Sequence, residues 1–174
     1  MEQKNPAHLV QALARVRELP WKCAMLGDGP LLESVRESVH AAGLAERIAL
    51  PGWVTPEQVL SEFAQSDLLV LPSRSEGLSV VGVQALGMGL AMLLSDAGGN
   101  LELVRDGENG FLFPAGDIDA LTRQLEYLLK NPGMLQSAQA KSREMARNYD
   151  LPGIVSQYEE LFSDLISNPK TPGI

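Results

Sequence analysis

The stretch from Ser73 to Gln84 carries the most suggestive chemistry in this sequence. Pro72-Ser73-Arg74-Ser75-Glu76-Gly77-Leu78-Ser79 follows a strongly apolar run and leads into a helical pattern. Ser79 is suited to cap that helix. The first backbone N–H groups of a helix have no internal partner and attract anions, so a phosphate is the natural guest here. Glu76 lies just ahead of the helix. A carboxylate is a poor phosphate ligand but a good acceptor for sugar hydroxyls. Its alternative role is to complement the positive helix end, an effect of about 0.3–1 kcal/mol.

Two further loops share the same setting. Gly27-Asp28-Gly29-Pro30 and Asp96-Ala97-Gly98-Gly99-Asn100 each follow an apolar run and precede a helical pattern. Glycine lets a ligand approach the backbone closely. Taken singly, each loop is equally a tight strand-to-helix turn. Three of them aimed at one sheet edge make a shared ligand crevice the stronger reading. Other chemistries find no support. His8 and His40 are isolated, Glu33 and Glu37 have no His partner for a metal, and no Ser-His-Asp order can be assembled. The one cysteine, Cys23, sits in an apolar run and reads as a small core residue.

These loops need a scaffold, and the apolar periodicity supplies one. Strands are expected at Lys22–Leu26, Arg47–Leu50, Asp67–Leu71, Leu90–Leu94 and Gly110–Phe113. Helices are expected at Ala7–Glu18, Leu31–Ala42, from Pro56, at Val80–Met88, Leu101–Arg105, Ile118–Lys130, Pro132–Asn148 and Pro152–Ile166. Thr55-Pro56-Glu57-Gln58 is a capping box with proline at the first helical position. Strands that are apolar on both faces and alternate with helices predict an open α/β domain with a parallel sheet. One such domain is expected over residues 1–166, with a frayed tail at 167–174. In that architecture ligands bind beyond the carboxyl ends of the strands, where all three loops lie.

The 174 residues fit a single core, and 45% of them are apolar against 21% charged, which excludes a disordered chain. The net charge is −8 and no Lys/Arg stripe is present, so nucleic acid is not an expected partner. No apolar run reaches the length of a membrane span, and no secretory signal is visible. A cytoplasmic location is expected, with peripheral membrane association possible only through a longer parent protein.

In this order, the motifs resemble the C-terminal domain of family 4 glycosyltransferases, which have the GT-B fold. The resemblance is carried by Leu26-Gly27-Asp28-Gly29-Pro30, Gly43-Leu44 through Gly52-Trp53-Val54, Ser66-Asp67-Leu68 through Pro72-Ser73, Glu76-Gly77, Gly89-Leu90, Asp96 through Gly99, and Leu103 through Gly110. It covers nearly the whole chain. It implies a Rossmann-like domain that binds a UDP- or GDP-sugar with no cofactor and no bound metal. Backbone near Trp53 and Val54 would hold the base, and Gly27 and Gly29 would line the donor site. The N–H groups of Leu78, Ser79, Val80 and Val81 would hold the diphosphate or sugar. Lys4 matches the lysine that neutralises the diphosphate. Glu76 matches the first acid of a Glu-x7-Glu motif and is the expected catalytic residue, contacting the donor sugar.

Three departures qualify this resemblance. The second acid of the motif, which grips the ribose hydroxyls, is replaced by Gln84. Losing a charge-assisted hydrogen bond weakens binding by about 1–2 kcal/mol. Ala91 also stands where the family usually has proline. In addition, the family domain begins with a central strand bearing an arginine ahead of the lysine, whereas Lys4 lies almost at the start of this sequence. The expectation is a sheet lacking its first strand, with two exposed edges prone to self-association. An N-terminal domain of the parent protein is the expected acceptor-binding partner. The expected function is the donor-binding half of a retaining glycosyltransferase acting on a glycan or lipid acceptor, inactive alone. The alternative is a non-catalytic or decayed nucleotide-sugar-binding module. A plain α/β signalling domain would require an acidic cluster at the strand ends, and the acids are scattered.

Overall fold

The computed structural model describes residues 2–149, together with 153, 155, 156, 158–160, 162 and 163. A 3-10 turn at Glu2–Lys4 leads into α1 (Pro6–Arg15). Then follow β1 (Cys23–Leu26), α2 (Leu32–Ala41), β2 (Ile48–Gly52), α3 (Pro56–Phe63), β3 (Leu68–Leu71), α4 (Val80–Met88), β4 (Ala91–Ser95), α5 (Asn100–Leu103), β5 (Gly110–Phe113), α6 (Ile118–Lys130) and α7 (Pro132–Met145), with a second 3-10 turn at Ala146–Tyr149. The expected last helix, Pro152–Ile166, is helical at the positions described; the expected tail from Ser167 lies outside the described residues.

All strands run parallel, in two sheets. β1 pairs with β2, and β3-β4-β5 form the other sheet, with Leu71 opposite Leu94 and Leu94 opposite Leu112. β1 and β3 are not paired, so the break falls where the sequence leads one to expect a missing central strand.

Helices cover both faces, and the strands divide their side chains between two apolar clusters. Leu93 joins Leu9, Leu13, Val35, Val39 and Leu121 under α1, α2 and α6. Met92 and Leu94 join Phe63, Leu86, Leu103 and Met145 under α3, α4, α5 and α7. That two-residue alternation is the strand period. α1 contacts both α2 and α6, so it bridges the first pair of strands and the second sheet.

Several boundaries differ from the sequence reading, among them the end of α7, which falls at Met145 rather than Asn148. α1 ends at Arg15 rather than Glu18. The segment after it is gathered by Arg47, whose guanidinium donates to the carbonyls of Arg17, Leu19 and Trp21 and stacks on the Trp21 ring at 3.8 Å. β2 runs on through Pro51 to Gly52. It is an edge strand, where a residue without an N–H is tolerated. α5 is a single turn starting at Asn100, one residue earlier than expected. The capping box at Thr55 and Gln58 forms as expected.

Candidate functional site

The loops after β3 and β4 touch at the carboxyl ends of their strands, and the Glu2–Lys4 turn links them to the loop after β1. Gln3 accepts from the Arg74 N–H at 2.8 Å and donates to the Ser75 carbonyl at 2.8 Å. This docks the turn on the Ser73–Glu76 loop. Lys4 Nζ then lies 2.6 Å from Glu76 Oε1, with the lysine half exposed and the Glu76 side chain only 6% exposed. Lys4 also lines a cleft of about 320 Å³ together with Leu26, Gly27, Asp28, Gly29 and Leu50. One cationic side chain thus faces both the Gly27–Gly29 loop and the acid.

The two glycines of the first loop contribute space more than donors. Gly27 and Gly29 have φ of 125° and 143°, which side chains rarely adopt. The Gly27 N–H is already bonded to the Gly52 carbonyl at 2.9 Å, and the Gly29 N–H to Asp28 Oδ1 at 2.6 Å. Trp53 and Val54 follow Gly52 at the same sheet edge, with Trp53 72% exposed.

The N-terminus of α4 supplies the donors. Ser79 caps it by accepting from the Gly82 N–H at 3.2 Å. Among the described residues, the N–H groups of Leu78, Ser79, Val80 and Val81 have no protein acceptor, and the Leu78, Val80 and Val81 side chains are exposed. Such a group of free N–H donors at a helix start favours an anion. Gln84 stands exposed one turn further along α4.

The loop after β4 serves as a backing. A Cβ on Gly98 would lie 1.9 Å from the Glu76 carbonyl oxygen, and one on Gly99 2.6 Å from that of Gly77. Only glycine allows the two loops to touch backbone to backbone. Asp96 points elsewhere and accepts from the Ala115 N–H at 2.8 Å. The remaining candidates play no part: Cys23 is half-buried, and desolvation pushes its thiol up to about 12, which leaves it without thiolate at neutral pH. Among the described residues no cluster of His, Cys, Asp or Glu is placed to hold a metal ion.

Sequence reasoning missed a set of buried polar side chains behind Glu76. Ser73 Oγ donates to Glu76 Oε1 at 2.6 Å, Ser95 Oγ to the Ser73 carbonyl at 2.6 Å, and Asn100 Nδ2 to the Ser95 carbonyl at 3.1 Å. Their common signal is a polar residue at or just past the end of each of two apolar strands. It becomes informative only once β3 and β4 are known to pair.

The family model described as glycosyl transferases group 1 matches residues 1–149. The chain belongs to this family. Among the relatives of this group 1 glycosyltransferase domain, an exopolysaccharide phosphotransferase of Streptomyces coelicolor is 30% identical over 97% of the chain and 18% of that protein. The N-acetyl-alpha-D-glucosaminyl L-malate synthase of Bacillus anthracis is 28% identical over 96% of the chain and 44% of that protein. The chain therefore spans less than half the length of these curated relatives. Among solved structures, a sucrose-phosphate synthase from Thermosynechococcus elongatus superposes with a TM-score of 0.84 at 22% identity, covering 96% of this chain and 43% of that one. HepE of Anabaena, solved with UDP-glucose, superposes with a TM-score of 0.82 at 24% identity, covering 95% and 46%. The fold of the group 1 domain is accordingly that of GT-B glycosyltransferases.

Proposed function

We propose that this chain is the donor-binding half of a retaining glycosyltransferase that uses a nucleoside-diphosphate sugar. The convergence of Lys4, Glu76 and the free N–H groups of α4 at one sheet edge carries this reading. It combines a cation and unpartnered donors for a diphosphate with a carboxylate for sugar hydroxyls. Glycosyl transfer breaks the bond from the anomeric carbon to the β-phosphate oxygen, and the diphosphate leaves with the electron pair. Donors fixed beforehand at the position where this charge develops lower the barrier. Val80, Val81 and Lys4 supply them. Glu76 orients the sugar, Trp53 and Val54 flank the base, and Gly27 and Gly29 leave room for the ligand backbone. The acceptor and its hydroxyl belong to a second domain of the parent protein. The names of the relatives support the same class, since they include a 2-deoxystreptamine N-acetyl-D-glucosaminyltransferase and a GDP-mannose-dependent mannosyltransferase. The reading implies a cytoplasmic domain, peripheral to a membrane where the acceptor is a lipid; among the described residues no helix is long and apolar enough to cross one.

Calorimetric titration with UDP-glucose and GDP-mannose tests this reading. Millimolar or tighter binding of either is expected, and no binding of either would sink it. Gln84 favours a second reading, a donor module with a decayed site, because it puts an uncharged amide on the exposed face of α4 where the family carries an acid. Gln84→Glu discriminates between the two. Restoring a charged acceptor to a working ribose contact tightens nucleotide binding by about 1–2 kcal/mol. An unchanged affinity would mean that position 84 does not touch the ribose.

A further inference from the structure

We propose that Ser73, backed by Ser95 and Asn100, is a positioning residue that selects which oxygen of Glu76 is offered to the sugar. This rests on the donor-site reading above. The three side chains form one directed chain. Asn100 donates to the Ser95 carbonyl at 3.1 Å and reaches its hydroxyl at 3.4 Å. The Ser95 hydroxyl donates to the Ser73 carbonyl at 2.6 Å, and the Ser73 hydroxyl donates to Glu76 Oε1 at 2.6 Å. Ser73, Ser95 and Asn100 are all fully buried. A buried hydroxyl must find an acceptor, and a serine in a loop commonly finds a neighbouring backbone group. Ser73 instead spends its proton on the Glu76 side chain.

The consequence lies in the lone pairs of Glu76. Oε1 accepts from both Ser73 and Lys4, which uses its capacity. Oε2 has no protein partner among the described residues, and it is not sealed from solvent. The carboxylate therefore presents a single free acceptor, suited to one sugar hydroxyl. When a diphosphate draws Lys4 away, Ser73 is the remaining hold on Oε1. The Ser95 and Asn100 bonds keep Ser73 from turning, because they tie its backbone to the end of β4.

A structural serine and a positioning serine differ in what their loss does to selectivity. The chain and its Ser73→Ala, Ser73→Thr and Ser95→Ala variants are titrated with UDP, UDP-glucose, GDP and GDP-mannose, and each fold is checked by thermal unfolding. The expected result is that Ser73→Ala reduces the preference for the nucleotide sugar over the bare nucleotide by about tenfold, the loss of one hydrogen bond to a charged group. The affinity for the bare nucleotide stays near its original value, Ser73→Thr restores the preference, and Ser95→Ala reduces it by less. Equal weakening of sugar nucleotide and bare nucleotide, or an unchanged preference in a folded variant, overturns the proposal while leaving the donor site in place. Failure of the unmodified chain to bind any of the four ligands overturns the donor-site reading and this proposal with it. Should Ser73→Ala unfold, Ser73→Cys keeps the volume with a weak donor, and the same ratio decides.

Discussion

The two sheets of this molecule carry different loads. In the β3-β4-β5 sheet the central strand is packed on both faces, and every residue of β4 from Ala91 to Ser95 is buried, while β3 at its edge is half buried. The β1-β2 pair is thinner: Cys23–Leu26 are only half buried along their whole length, and β2 is an exposed edge. The site follows the same division. The well-packed sheet supplies Glu76, the α4 N-terminus and the polar chain behind them. The thinner pair supplies Gly27 and Gly29, whose own N–H groups are already bonded. Lys4 belongs to neither sheet and reaches across from the turn before α1. The fixed side-chain contacts of the candidate site thus sit beside the fully buried β4, and its open space beside the half-buried β1.

Core truncations give the sharpest test of that contrast. Leu93→Ala removes a fully buried side chain from the central strand of the well-packed sheet. It should cost about 2–5 kcal/mol in urea unfolding. Met25→Ala, on the half-buried β1, should fall at or below the bottom of that range. Equal costs would mean that the two sheets share one uniformly packed core.

Arg47 is the next largest element, because it organises the segment that leads into β1. Its guanidinium satisfies three carbonyls and covers Trp21. Arg47→Ala should destabilise by about 1.5–3 kcal/mol, as expected when hydrogen bonds to a charged group are lost. Arg47→Lys should recover little of it, since an ammonium cannot match the planar fork. Full rescue by lysine would show that charge alone matters there.

Gly98 probes the precise side of the site. A Cβ at that position would meet the Glu76 carbonyl at 1.9 Å, and φ is already +52°. Gly98→Ala should push the Glu76 loop aside and weaken nucleotide-sugar binding by about tenfold or more, which corresponds to ~1.4 kcal/mol. β4 itself should keep its pairing. Gly29→Ala, on the roomy side, meets no atom within 4 Å, so its effect is limited to backbone strain. A larger loss of binding for Gly29→Ala than for Gly98→Ala would reverse the assignment of the two loops.

How much of this could be read from the sequence follows from the range of each interaction. The strands, α4 with its Ser79 cap, and the Thr55 capping box are local patterns, and they form where periodicity and cap chemistry place them. The resemblance singles out Glu76 and Lys4, but not their 2.6 Å contact. The end of α1 was not legible, because Arg47 lies about thirty residues away from the carbonyls it gathers. The Ser73-Ser95-Asn100 chain needed the register of β3 against β4, which brings Ser73 beside Ser95 only when Leu71 faces Leu94. The extension of β2 through Pro51 was illegible for a related reason. Proline ends a central strand but not an edge, and edge status is a property of the whole sheet.

The smallest expected effect concerns how the two halves are joined. Arg15 on α1 and Asp119 on α6 form an ion pair, with side chains 49% and 70% exposed. α1 is the helix that spans the break between the sheets, and α6 follows β5. The pair therefore looks like a clasp between the halves. Its exposure argues otherwise, because exposed pairs contribute about 0–1 kcal/mol and are screened by salt. The apolar contacts of Leu9, Leu13, Leu121 and Leu125 beneath it are buried and do not depend on salt. Asp119→Asn should accordingly shift the urea midpoint by less than about 0.5 kcal/mol equivalent at low salt, and by nothing measurable at high salt. A loss above about 1 kcal/mol that persists in high salt would mean that the halves are clasped by charge, and that the apolar seam under α1 is weaker than its burial implies.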